Sequence, residues 1–271
     1  MANVKFSVAI RSDAIQNLIN STLGDKEVAR NFIANISTAV SNNPAIQACD
    51  AGSIISAGLM AESLKLPLSN SLGYCYIIPY GNKAQFQISY TGLVQLAQRS
   101  GQYERIGVRE VHEGEYIGQD KFGEDEFKFS HDFDDKPVVG YYAYFRLLNG
   151  FEKSLYWTKE QCEKHGRKYS KSYSKLWTTN FDLMAEKTVL KQLLKKWGVM
   201  SIELQKAVQS DQAVIREDGT FDYVDNPQND KDSNVENTLE NVLNQEENPA
   251  KVEEKVEVDK NFGLYEDVKL W

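Results

Sequence analysis

Leu72-Gly-Tyr-Cys-Tyr-Ile-Ile-Pro-Tyr80, Gly81-Asn82-Lys83, Ala84-Gln-Phe-Gln-Ile-Ser-Tyr90 and Thr91-Gly-Leu-Val-Gln-Leu-Ala-Gln-Arg-Ser-Gly101 follow one another without interruption. The first run is rich in aromatic and β-branched residues and predicts a strand over Leu72 to Pro79. Gly81-Asn82 predicts a turn, and Ala84 to Tyr90 the returning strand. In the last run Leu93, Val94, Leu96 and Ala97 take helical spacing, with Thr91 available as a cap and Ser100-Gly101 as a stop. A hairpin that hands directly into a helix points to an α+β fold.

Toward the N-terminus the pattern is helical. Val28, Phe32, Ile36 and Val40 recur at spacing four and end before Asn43-Pro44. A second amphipathic stretch, Ile54 to Leu66, carries Ile54, Ile55, Leu59, Leu64 and Leu66 and stops at Pro67. Toward the C-terminus, strands are expected at Arg105–His112, Glu126–His131 and Val138–Leu148, and Asn149-Gly150 predicts a hairpin returning into Phe151–Trp157. Thr158-x-x-Gln161 fits a capping box opening a short helix through Glu163 and Lys164. Lys168 to Lys175, KYSKSYSK, reads as a basic, aromatic loop. Asn180 to Trp197 predicts a long helix stopped by Gly198, its apolar arc formed by Leu183, Leu190, Leu193, Leu194 and Trp197. Beside that arc runs a stripe of Lys187, Lys191 and Lys195. The expected class is therefore α+β, with N-terminal helices, an antiparallel β-sheet core with packed helices, and an acidic, largely disordered C-terminal tail.

Charge divides the chain in the same place. The formal net charge is −8, which by itself argues against a nucleic-acid partner. Residues 210–271, however, hold 6 Lys/Arg and 17 Asp/Glu, leaving 25 and 22 for residues 1–209, a balance of +3. From Lys164 to Met200 nine basic residues face only Asp182 and Glu186. We expect a core over 1–209 and an acidic linker over 210–271, where apolar periodicity fades until Phe262–Trp271. That apolar end suits a small docking element or a partner-binding motif. The tail could also compete with nucleic acid for a basic surface.

Several chemistries find no support. Gly-Lys occurs nowhere, so there is no P-loop, and no GxGxxG offers a dinucleotide site. Three isolated histidines do not make a two-His metal motif. No cofactor is expected. Cys49, Cys75 and Cys162 are far apart and odd in number, which suits a reducing compartment. Met1-Ala2-Asn3-Val4-Lys5 lacks the pattern of a secretory signal, and no run is apolar enough for a membrane span, so a cytoplasmic protein is expected. One catalytic alternative stands on Glu126-Phe127-Lys128, which on a strand would share a face and, with Asp120 or the His131–Asp135 run, could hold Mg²⁺ for phosphodiester cleavage. A triplet so short is unspecific, and a solvated strand edge explains it equally well.

The basic and aromatic constellation is more specific. Lys164, Arg167, Lys168, Lys171 and Lys175 interleave with Tyr169, Tyr173 and Trp177. Cations neutralise phosphates while rings offer flat surfaces to bases, a combination that reads no sequence. Trp177 fits a core as well as or better than a stacking role, and Lys187, Lys191 and Lys195 could be snorkelling lysines. Arg99 and Arg109 are weaker candidates for an opposite wall.

Two blocks, Leu72–Tyr80 with Phe86–Gly101, and Trp177, Phe181, Met184-Ala185-x-Lys187-Thr188 with Lys191, resemble the signature of the RecT family, across roughly Ala29 to Ser201. Family members often carry Lys where Thr91 stands, and Pro where Leu176 stands. The resemblance implies a non-enzymatic, sequence-independent annealing protein of phage or prophage type that binds single-stranded DNA and the annealed duplex intermediate without ATP. It also implies a homo-oligomer, ring or helical filament, working with a 5′→3′ exonuclease and a host ssDNA-binding protein. A coating protein that does not anneal, or a structural phage protein with a basic surface, are the competing expectations.

Overall fold

The computed structural model describes residues 5–69, 71–170, 173–216 and 219–223. Five helices open the chain: α1 (Phe6–Ala9), α2 (Asp13–Leu23), α3 (Lys26–Ser41), α4 (Pro44–Gln47) and α5 (Ala51–Ser63). Asp25 starts α3 by accepting from the amides of Glu27 and Val28, and Asp50 starts α5 by accepting from Ser53 N–H. The buried face of α3 is Ala29, Phe32, Ile36 and Val40, not the four-spaced set expected, since Val28 is 39% exposed. A 3-4-4 spacing follows the 3.6-residue turn more closely than a strict repeat of four.

The hairpin β1 (Cys75–Tyr80) and β2 (Lys83–Ile88) closes around the expected turn at Gly81-Asn82, with Tyr80 opposite Lys83. Helix α6 (Tyr90–Arg99) follows at once. Its cap is Ser89, which accepts from Gly92 N–H, rather than Thr91. The Thr91 hydroxyl donates to the Gly73 carbonyl and so ties α6 to the start of the hairpin.

A second sheet is built from β3 (Tyr103–His112), β6 (Val138–Leu147) and β7 (Glu152–Thr158), in the order β3-β6-β7, all antiparallel. Gly150, at φ +86°, turns β6 into β7 as Asn149-Gly150 suggested. Between β3 and β6 lies a small hairpin, β4 (Tyr116–Gln119) with β5 (Asp125–Phe127), then a single turn of 3-10 helix at His131–Phe133. Only the first part of the expected Glu126–His131 strand is therefore extended, and β4 went unforeseen because Gly114, Gly118 and Gly123 break its pattern.

Helices α7 (Lys159–Tyr169), α8 (Tyr173–Thr179), α9 (Phe181–Trp197) and α10 (Ile202–Ser210) complete the layer. One sheet face, carrying Tyr141, Ala143, Phe145 and Leu147, is buried beneath α9. Each large side chain fully buried there is worth about 1.5–3 kcal/mol. The α9 face in the core is Met184, Ala185, Val189, Leu190, Leu193 and Leu194, while Leu183 (56%) and Trp197 (44%) stay exposed. After α10 the chain does not leave the fold. The amide of Gln212 donates to the Phe86 carbonyl, Phe86 N–H donates to Ala213, and Val214 and Ile215 are buried in β8 (Val214–Ile215), which pairs with β9 (Phe221–Asp222). The acidic stretch beyond 223, Phe262–Trp271 included, lies outside the described residues.

Candidate nucleic-acid interface

The expected loop at Lys168–Lys175 is replaced by the end of α7 and the start of α8. The Thr158 capping box is present in both directions: Gln161 N–H reaches Thr158 Oγ1 at 3.2 Å, and Thr158 N–H reaches Gln161 Oε1 at 2.9 Å. With its start fixed, α7 runs on through Tyr169. Its inner face is Cys162 and Gly166. Gly166 is required by close approach, because a Cβ there would lie 2.7 Å from the Trp177 indole. Trp177 is accordingly core, 3% exposed, and does not offer a ring to solvent.

The outer face of α7 carries Lys164, Arg167 and Lys168, all exposed. Arg167 bonds Glu163 at 2.6 Å, one turn back, yet its side chain is 64% exposed and its Cζ sits 4.6 Å over the Tyr173 ring. Such a surface pair holds its geometry weakly, at about 0.3–0.5 kcal/mol. Neither Lys164 nor Lys168 makes an ion pair among the described residues. Beneath them Trp157, His165 and Tyr169 form a ring ladder with centroids 5.1 and 4.6 Å apart. Burial, then the ammonium groups of Lys191 and Lys168, push the His165 imidazole down to about 4. His165 is thus neutral at neutral pH, and cations from two helices converge on it. Lys171 lies outside the described residues, as does the side chain of Lys175; Tyr173 is half-buried and stacks on Trp177 at 5.9 Å.

The α9 stripe splits. Lys187 is 4% exposed and its Nζ donates to Asp211 Oδ1 at 2.7 Å; Lys191 Nζ donates to Oδ2 at 2.8 Å. The same carboxylate accepts from Ile88 N–H at 3.3 Å, fastening β2 to α9. Burial would raise the Asp211 pKa, but the two ammonium groups outweigh it and hold the group below the ordinary carboxylate range. Lys187 is therefore committed to the fold, Lys191 is mostly so, and Lys195 alone of the three is exposed. Asp211 had been counted with the acidic tail.

The remaining candidates are placed elsewhere. Arg99 donates to the carbonyls of Leu64 and Lys65, both at 2.8 Å, satisfying the end of α5. Arg109 pairs with the buried Glu115 at 3.3 Å and lies 3.9 Å over Phe129. Glu126 and Lys128 are exposed, and Asp120 spends its carboxylate on the amides of Phe122 and Glu124 in its own turn. Among the described residues no group of three His, Cys, Asp or Glu is placed to hold a metal ion.

Two features escaped the sequence. Trp197 is exposed with Lys153 and Lys196 at 5.7 and 5.2 Å from its ring. The outer face of the β3-β6-β7 sheet is paved with tyrosines and arginines. Alternation along β6 (Tyr142, Tyr144, Arg146) was the available signal.

The fold is α+β, and α7 gives it an exposed basic edge backed by aromatic rings. The RecT family model matches residues 30–228, and the chain belongs to the RecT family. It is 43% identical over 217 residues to the protein YqaK of Bacillus subtilis (strain 168), covering 80% of this chain and 73% of the relative. It is 32% identical over 214 residues to Protein RecT of Escherichia coli (strain K12), covering 75% and 78%. The matched span runs past Asp211, so the segment that supplies the buried carboxylate belongs to the shared fold.

Proposed function

We propose that the protein binds single-stranded DNA without reading its sequence and anneals complementary strands without ATP, as an oligomer. The observation that carries this is the outer face of α7, where Lys164 and Lys168 are exposed and unpaired among the described residues, beside Arg167 and over aromatic rings. Cations held on a helix can track a phosphate backbone and leave the bases free. Annealing is then downhill by itself, since each base-pair step contributes about 1.4 kcal/mol. The protein's part is to screen repulsion between two backbones while keeping bases accessible. Lys195 on α9, also exposed, is proposed with this face, as are Lys171 and Lys175 from the sequence.

Exposed Val8 (60%), Leu18 (48%) and Val28 (39%) on the N-terminal helices support these as the protomer–protomer surface. An exonuclease partner and a host ssDNA-binding protein belong to this reading as the family resemblance implies them, and a cytoplasmic setting belongs to it from the cysteine usage. No helix among the described residues is long and apolar enough to cross a membrane.

The test is sequential addition of two complementary fluorescent oligonucleotides to the full chain, without ATP or metal, across a salt series. Duplex formation faster than the protein-free control, fading as salt rises, is expected. Tight binding with no acceleration would make it a coating protein, and Mg²⁺-dependent cleavage lost in Glu126→Ala would make it a nuclease.

A further inference from the structure

The sheet β3-β6-β7 has one face in the core; an antiparallel sheet usually gives its other face to polar side chains. Here the outer face sets tyrosines among its charged residues. Cross-strand pairing sets three rows in register: Arg109–Tyr142–Tyr156, Gly107–Tyr144–Ser154 and Arg105–Arg146–Glu152. The β4–β5 hairpin folds over the first row. Tyr116 stacks on Tyr156 at 5.2 Å, and Phe127 lies 4.6 Å from Tyr142.

The second row stays open. Tyr142 and Tyr144 stack at 5.8 Å with planes 23° apart. Gly107 has no side chain to lift the Tyr144 ring, whose Oη would lie 2.9 Å from a Cβ there, so the ring lies flat across the neighbouring strand. Tyr144 is 36% exposed and Phe129, capped by Arg109, is 38% exposed. Arg146 is braced by Glu104 at 3.4 Å, whereas the exposed Arg105 has no ion pair among the described residues.

A flat ring on a sheet, with Arg109 in the row on one side and Arg105 and Arg146 in the row on the other, matches the chemistry of an unpaired nucleobase and its phosphate: stacking on one, charge on the other. We propose that this sheet face is a base-stacking platform for single-stranded nucleic acid, with Tyr144 its open ring and Arg105 its phosphate contact. The platform rests on the single-strand reading above and adds to it a part of the affinity that depends on bases rather than on charge. The α7 edge senses phosphates; this face senses rings.

The experiment compares the full chain's affinity for oligo(dT) and for an abasic phosphodiester of equal length at one salt concentration, in the unaltered chain and in Tyr144→Leu and Tyr144→Trp. The unaltered chain should prefer oligo(dT). Tyr144→Leu should lower that affinity on the order of tenfold, leave the abasic strand's unchanged, and Tyr144→Trp should restore it. Equal affinity of the unaltered chain for both strands, or equal loss on both in Tyr144→Leu, overturns the platform while the phosphate-tracking α7 edge stands. A loss that follows a change in oligomer mass by light scattering also overturns it, assigning the face to contact between copies. Binding of neither strand by the unaltered chain brings down the single-strand reading, and the platform with it.

Discussion

Helices α7 and α9 each carry four lysines or arginines, and the fold uses them in opposite ways. On α7, Lys164, Arg167 and Lys168 point to solvent, and the helix's own acids, Glu160 and Glu163, are not buried either. On α9, Lys187 and Lys191 close on a carboxylate that is 2% exposed and twenty or more residues further along the chain. Charge counted along a sequence is therefore not charge presented on a surface. What separates the two helices is which acid the tertiary fold brings to them. Two lysines that raise the basic count of the core are cancelled in part by an aspartate counted against the tail.

The comparison breaks most readily at Asp211. Asp211→Asn leaves a buried ammonium group without its counter-charge, and a loss of about 3–5 kcal/mol in urea unfolding is expected. A loss below about 1 kcal/mol would mean that Lys187 and Lys191 reach solvent and resemble the α7 set after all. By contrast, Lys164→Ser with Lys168→Ser should change stability by no more than about 0.5 kcal/mol, as surface substitutions do.

A smaller effect comes from the acidic half of α9. Burial first, then Glu110 and Asp182, push the Glu186 carboxyl up to about 7. An acid whose folded pKa lies above its ordinary 4.5 contributes stability in its protonated form, and that contribution is lost as pH rises from about 4.5 through 7. Glu186→Gln should therefore raise stability at pH 8 by on the order of 1 kcal/mol and leave it nearly unchanged at pH 4. Thermal melts at the two pH values check this. Equal effects at both would place Glu186 in solvent, and α9 would then be charged at both ends without any buried cost.

Much of this was legible in advance where the signal was local. The β1–β2 turn at Gly81-Asn82, the β6–β7 turn at Asn149-Gly150 and the Thr158 capping box each depend on residues within a few positions of one another. What stayed hidden depended on distant partners. A core place for Trp177 was the better reading of the sequence, but not that Gly166, on another helix, lets its ring approach; Lys187 is buried because Asp211 comes back to it. Arg99 carried the family signature and a plausible phosphate-binding charge, but it completes the carbonyls at the end of α5. The sheet's tyrosines were visible as an alternating strand, yet which side of the sheet α9 would cover could not be read from β6 itself. Sorting the basic residues needs the acids and backbone groups that the fold delivers, and these are not local in the sequence.

The central claim is that the exposed α7 lysines hold the DNA backbone whereas the α9 pair holds the fold. It is tested most directly by the salt dependence of oligo(dT) binding to the unaltered chain and to Lys164→Ser with Lys168→Ser. Each phosphate contact contributes about 0.7 to the log–log slope on a single strand, so the account expects weaker binding and a slope shallower by about 1.4, with the melting curve unchanged. An unchanged slope in a fully folded variant would contradict it.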